Sequence, residues 1–121
     1  MDGLLVTGAD GFIGSHFVHH MLTKTDRNLL LVCGWRRGGM GERLRTLASM
    51  HSGWRDRVTV MTHDLSAPFS SFDADRIEAI GVSDIVHFAA ESHVDRSIVE
   101  PADVIRNNVM VTVNLLDLAR K

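Results

Sequence analysis

Tyrosine is missing from the sequence altogether, so no phenolate can act as a base anywhere in its 121 residues. Cysteine occurs once, as Cys33, which excludes an internal disulfide and a cysteine-based zinc site. No apolar run is long enough to span a bilayer, and residues 1–20 lack the basic start and apolar centre of a signal peptide. A cytoplasmic protein without a membrane partner is therefore expected. Charge of one sign is also scarce: the formal net charge of −2 gives no case for nucleic acid or for an acidic partner.

What is present is ordinary in bulk and specific in detail. The length suits one domain over residues 1–121 with a sizeable core, and 45% hydrophobic with 23% charged residues is usual for a globular chain. The informative stretch is Leu4-Leu5-Val6-Thr7-Gly8-Ala9-Asp10-Gly11-Phe12-Ile13-Gly14-Ser15-His16. Its order predicts a buried strand, a glycine turn and a helix start. Gly8 turns the chain off the strand, Gly11 lets the backbone approach a ligand, and Gly14 lets helix and strand pack closely. The N–H groups of the first helical turn then face an anion with the helix dipole behind them, and a dinucleotide pyrophosphate is the usual occupant. A plain strand-to-helix turn is the alternative.

Further along, Ile13, Phe17 and Met21 share one helical face, and His16, His19 and His20 lie mostly on the other. The i, i+4 pair His16 and His20 has no third ligand in view, so no metal is expected. Leu29–Val32 reads as a second buried strand, of the continuously apolar kind found in parallel sheets. A NAD-binding unit carries an acidic residue near the end of this strand to hold the ribose 2′-hydroxyl. Cys33 or Gly34 stands there instead, and Arg36 and Arg37 follow. Without the carboxylate a 2′-phosphate is not repelled, and two guanidiniums suit it, which favours NADP over NAD. The other reading places both arginines in a solvated loop with Arg43 and Arg45.

The remaining periodicities predict a helix over Glu42–Met50, a loop at Gly53–Asp56 and a third strand over Val58–Met61 ending at His63-Asp64-Leu65. Asp64 is placed either to accept from an adenine amino group, with the Leu65 backbone beside it, or to cap a turn. A loop at Pro68–Phe72, a short helix at Asp75–Ile80 stopped by Gly81, and a fourth strand over Asp84–Phe88 follow. Ala89 and Ala90, at that strand's exit, leave room for a cofactor crossing strand ends. From Pro101 a last helix repeats Val104-Ile105, Asn108-Val109, Thr112, Leu115-Leu116 and Ala119, leaving Val111 and Leu118 outside its sheet-facing stripe. The fold expected is α/β: a partial Rossmann-type three-layer parallel sheet of about four strands, order 3-2-1-4. An unpaired fourth strand and stray apolar residues predict self-association, hence a homo-oligomer.

The spacing Gly-x-x-Gly-x-x-Gly, with Thr7 before it and Phe12-Ile13 inside it, resembles the extended short-chain dehydrogenase/reductase family. With His63-Asp64-Leu65, His87-Phe88-Ala89-Ala90-Glu91-Ser92-His93-Val94-Asp95-Arg96-Ser97-Ile98 and Asn107-Asn108-Val109 through Asn114-Leu115-Leu116, it resembles the nucleotide-sugar 4,6-dehydratases, those acting on dTDP-glucose above all. The resemblance covers Leu4 to Lys121, the cofactor half of such an enzyme. It implies that Gly8, Gly11, Phe12, Ile13 and Gly14 hold the pyrophosphate, that Asp64 and Leu65 meet the adenine, and that Ala89, Ala90 and Ser92 line the ribose and nicotinamide side. Asn107 stands where the family has a threonine near the cofactor. Ser92 and His93 are the residues implied to reach a sugar nucleotide, and Glu91 and Asp95 are read as structural or positioning residues in preference to an acid/base pair. Paired arginines after the second strand resemble the GDP-mannose 4,6-dehydratases, which use NADP. The family's Tyr-x-x-x-Lys pair and Thr-Asp-Glu group would lie beyond residue 121, so no catalytic residue is assigned and binding without turnover is expected. The other readings are an epimerase or reductase of the same family, and a non-catalytic dinucleotide-binding module.

Overall fold

The computed structural model describes residues 3–34, 41–88 and 101–120, without the side chains of Pro101, Asp103, Val104 and Asn107. In chain order the elements are β1 (Gly3–Thr7), α1 (Phe12–Lys24), β2 (Leu29–Cys33), α2 (Glu42–Met50), α3 (Trp54–Arg57), β3 (Val58–Thr62), α4 (Ser71–Ile80), β4 (Val82–His87) and α5 (Pro101–Ala119). The four strands form one parallel sheet in the order β3-β2-β1-β4, as the alternation of strands and helices predicts.

The two central strands are buried at every residue, because helices cover both faces of the sheet. Leu4, Val6, Leu29 and Leu31 pack with Val18, Met21 and Leu22 of α1 and with Leu44 and Leu47 of α2. Leu5, Leu30 and Val32 alternate to the opposite face and meet Ile77 of α4 and Val111 and Leu115 of α5. One continuous apolar run per strand thus serves two cores.

Several elements differ from the sequence expectation. α4 begins at Ser71 rather than Asp75, because Ser70 caps it: its hydroxyl oxygen accepts from the Asp73 N–H at 3.1 Å. The stop at Gly81 is as expected, with φ 86° in the left-handed region. The segment expected as a loop at Gly53–Asp56 contains the single turn α3. β4 runs Val82–His87 rather than Asp84–Phe88, with a register irregularity opposite Gly3 and Leu4.

Two helix faces also need correction. Ile13, expected on the packed face of α1, is 66% exposed, and the buried face is Gly14, Ser15, Val18, Met21 and Leu22. On α5 the expected stripe is out of phase. Val111 is buried and Leu118 packs at the edge of the core, whereas Ile105, Val109 and Leu116 are exposed. The phase is set by Asn114, which is buried and donates from Nδ2 to the Leu65 carbonyl at 2.9 Å.

Candidate functional site

The carboxyl ends of β1 and β4 lie side by side, with Thr7 in register with His87, and the glycine turn leaves the sheet there. Gly8 has φ 66°, a conformation that a side chain disfavours. A Cβ on Gly14 would lie 2.0 Å from the Gly8 carbonyl oxygen, so only glycine lets α1 start this close to the turn. At Gly11 a Cβ would stand 3.3 Å from the same oxygen.

The start of α1 is left without a cap. Gly11 is the N-cap residue, no side chain among the described residues caps the amides of the first turn, and that turn carries no acidic residue. The first intrahelical bond runs from the Ser15 N–H to the Gly11 carbonyl at 3.0 Å. The N–H groups of Phe12, Ile13 and Gly14 therefore have no carbonyl four residues back. Phe12 and Ile13 are both exposed, flanking those amides rather than entering the core. A helix start with bare amides, no carboxylate in its first turn and no Cβ in the way is a cradle for an anion.

The crevice is braced from beneath. Thr7 is fully buried, and its hydroxyl oxygen accepts from the Phe88 N–H at 3.1 Å and lies 2.6 Å from His87 Nδ1. Burial lowers the His87 pKa below its ordinary value, which favours the neutral imidazole in this pairing. Sequence reasoning missed the brace, since Thr7 and His87 are eighty residues apart and only the strand order brings them together.

At the end of β2, Cys33 is buried, and desolvation first, then the negative charge of Asp10, push its thiol up to about 11. The position that carries a carboxylate in NAD-binding units is thus neutral here at physiological pH. Beside it, Asp10, Gly41, Glu42, Arg43 and Thr46 line a cleft of about 470 Å³ between the glycine turn and α2. Arg43, which the alternative reading of the arginines put in a solvated loop, stands on α2 and is one wall of that cleft. Arg36 and Arg37 lie outside the described residues, as do Ala89, Ala90, Ser92 and His93, and so does the side chain of Asn107 on α5.

Asp64 follows β3 and uses Oδ1 to accept from the Ser66 N–H at 3.0 Å and the Ser66 hydroxyl at 2.7 Å. That is the turn-capping arrangement, and it fixes the chain where β3 ends. Leu65 is buried, and its carbonyl is the Asn114 acceptor described above. His63 stacks on Phe69 with ring centroids 4.2 Å apart, and its Nε2 pairs with the Ala67 carbonyl at 3.0 Å. Among the described residues no cluster of three or more His, Cys, Asp or Glu side chains is arranged to hold a metal. His16 instead pairs with the Phe12 carbonyl at 2.7 Å, and His19 Nδ1 with His51 Nε2 at 3.0 Å. No helix among the described residues is long and apolar enough to cross a membrane.

Comparison with known proteins agrees with this fold. The family described as GDP-mannose 4,6 dehydratase matches residues 5–121. A dTDP-glucose 4,6-dehydratase of Streptomyces antibioticus is 38% identical over 96% of the chain, and one of Escherichia coli is 36% identical over 98%. The chain spans about a third of each relative, 33% and 31%. Among solved structures, the UDP-glucose 4-epimerase of Brucella ovis in complex with NAD superimposes with a TM-score of 0.70 at 25% identity, covering 99% of this chain and 32% of that one. The terminal R domain of the myxalamid biosynthetic pathway superimposes with a TM-score of 0.79 at 20% identity, over 100% of this chain and 32% of that one, a likeness of fold alone. The matched residues include the glycine turn, the β2 exit and the β4 strand that build the crevice; the chain belongs to the GDP-mannose 4,6-dehydratase family, within the extended short-chain dehydrogenases/reductases.

Proposed function

We propose that the chain is the dinucleotide-binding portion of a cytoplasmic nucleotide-sugar 4,6-dehydratase acting on dTDP-glucose, and that it prefers NADP to NAD. The observation that carries the reading is the uncapped start of α1, with Gly8 in a left-handed turn and Gly14 packed where a methyl group would clash. Those features fit a pyrophosphate: amides supply donors, the helix dipole supplies favourable potential, and glycine supplies room.

In this reading Gly8, Gly11, Phe12, Ile13 and Gly14 hold the pyrophosphate. Asp64 and Leu65 meet the adenine. Ala89, Ala90, Ser92 and Asn107 line the ribose and nicotinamide side. Arg36 and Arg37 take the 2′-phosphate, aided by the uncharged Cys33, which presents no carboxylate to repel it. Ser92 and His93 orient the sugar nucleotide. The bound nicotinamide supplies the group that accepts a hydride and later returns it. The residues of this chain bind and orient; none is a phenol able to take a hydroxyl proton, since tyrosine is absent from the sequence. Binding without turnover is the consequence.

Isothermal titration of the chain with NADP and with NAD, alongside a dehydration assay on dTDP-glucose, tests this. Tighter binding of NADP and no dehydration are expected. Failure to bind either dinucleotide would overturn the reading, equal affinities would overturn the preference, and turnover by this chain would overturn the assignment of binding alone.

A further inference from the structure

Two aspartates sit in turns beside strand ends and use their carboxylates differently. Asp64 closes its own turn, accepting from the Ser66 N–H two residues on at 3.0 Å. Asp10 has the Phe12 N–H at the same spacing, yet no side chain among the described residues caps the start of α1. Among those residues Asp10 takes neither a hydrogen bond nor an ion pair. It is half-buried, so this carboxylate is held partly out of water with no donor to it.

Three neighbours define its place. Asp10 precedes Gly11, the N-cap of α1. Its Cβ lies 3.6 Å from where a Cβ on Gly41 would stand, which puts it against the start of α2. Its charge reaches the Cys33 thiol at the end of β2. Asp10 thus leaves the glycine turn on the β2 side, away from the Thr7–His87 brace on the β4 side, and is one wall of the cleft of about 470 Å³.

In a dinucleotide held as proposed above, the adenosine ribose hangs from the pyrophosphate by its 5′-carbon, and the adenine lies toward Asp64 and Leu65 beyond β3. Between cradle and adenine stands the end of β2, and with it this cleft. The lining is negative on balance, since Asp10 and Glu42 bring two carboxylates and Arg43 one guanidinium. A ribose hydroxyl donates to a carboxylate in a charge-assisted hydrogen bond, whereas a 2′-phosphate in the same place is repelled. Glu42 is exposed on α2, so the partly desolvated Asp10 is the stronger of the two acceptors.

We propose that Asp10 is a specificity-determining residue: it stands in for the carboxylate missing from the end of β2, accepts a hydrogen bond from the adenosine ribose 2′-hydroxyl, and opposes a 2′-phosphate. The carboxylate enters from the glycine turn instead of from the strand. The inference rests on the dinucleotide reading above. It makes the NADP preference a balance of opposed charges, with guanidiniums drawing the phosphate in and Asp10 holding it off.

Isothermal titration of the full chain and of Asp10→Asn with NAD, NADP and NAD lacking the adenosine 2′-hydroxyl tests this. Asparagine keeps the shape of the side chain and suits a turn while removing the charge. In the unsubstituted chain, loss of the 2′-hydroxyl should weaken binding about tenfold, as for a hydrogen bond to a charged group; in Asp10→Asn it should cost less than about threefold. The ratio of NADP to NAD affinity should rise about tenfold in Asp10→Asn, and likewise in Asp10→Ser, a second neutral turn residue. Equal changes for NAD and NADP would mark Asp10 as a turn residue only and overturn the assignment, with dinucleotide binding intact. A 2′-deoxy penalty that survives the substitution would do the same. Failure of the unsubstituted chain to bind any of the three overturns the dinucleotide reading itself, and this assignment with it.

Discussion

Helix α1 is treated in opposite ways at its two ends. At its start, by the carboxyl ends of the strands, three amides stand without a capping side chain and without an acid in the first turn. At its finish the carbonyls are saturated. Arg57 donates from Nη1 to the Leu22 carbonyl at 3.0 Å and from Nη2 to those of Met21, Thr25 and Arg27 at 3.5, 2.6 and 2.9 Å. A second guanidinium, Arg27, ties the same region to β4 through Asp84 Oδ2 at 2.7 Å. A fold that closes one end of a helix with Arg57, ties the adjoining chain to β4 with Arg27 and leaves the other end bare has separated the polar groups that hold the structure from those left open to an anion.

Closing the bare end should have the largest effect. In Gly14→Ala the new methyl would meet the Gly8 carbonyl oxygen at 2.0 Å, backbone against backbone, where no rotamer change can relieve it. Urea denaturation should show a loss of about 3 kcal/mol, the upper part of the range for overpacking. Dinucleotide affinity should fall as well, because relief of the clash moves the turn away from the amides. An unchanged midpoint with unchanged affinity would mean that the close approach is incidental.

Opening the closed end should cost less and should leave binding alone. Arg57→Met keeps the apolar stem but removes four donor contacts, and is expected to destabilise by about 2 kcal/mol. Part of the loss is offset because Arg57 Nε is buried without a partner among the described residues. In the folded fraction, NADP affinity should match that of the unsubstituted chain. A large drop in affinity at full folding would show that the two ends are coupled, and the separation drawn above would fail.

The two ends were also unequally legible. The glycine turn could be read from sequence because Gly8 and Gly14 are there for steric reasons that other residues do not meet. The bounds of α2 and the runs of β1 and β2 followed from periodicity and continuous apolar stretches. Ser70-Ser71-Phe72-Asp73 carried a capping signal for α4 that helix-spaced isoleucines, starting later, concealed. The arginine cluster had no signature, since its partners are backbone carbonyls that any sequence possesses. α5 was read out of phase for a related reason. Its apolar residues surround much of the helix, and the residue that fixes its rotation is a buried asparagine, which hydrophobic patterning assigns to the outside.

The smallest effect expected is at the Arg27–Asp84 pair, and it sharpens the comparison by its pH dependence. The hydrogen bond from Arg27, with a second from Ser83, holds the Asp84 carboxyl below its usual value. A carboxyl depressed on folding stabilises above its unfolded pKa of ~3.9 and loses that contribution as pH falls through the lower, folded value. Thermal melts of Asp84→Asn and of the unsubstituted chain should therefore differ by a small, constant amount near neutrality and converge in acid. Because both partners are reachable by solvent, at 29% and 61% side-chain exposure, added salt should shrink the difference as well. The Arg57 contacts behave otherwise: a guanidinium on neutral carbonyls has no titrating partner, so the Arg57→Met deficit should persist across the same pH range. A deficit for Asp84→Asn that ignored both acid and salt would place Arg27 with Arg57, as packing rather than as charge.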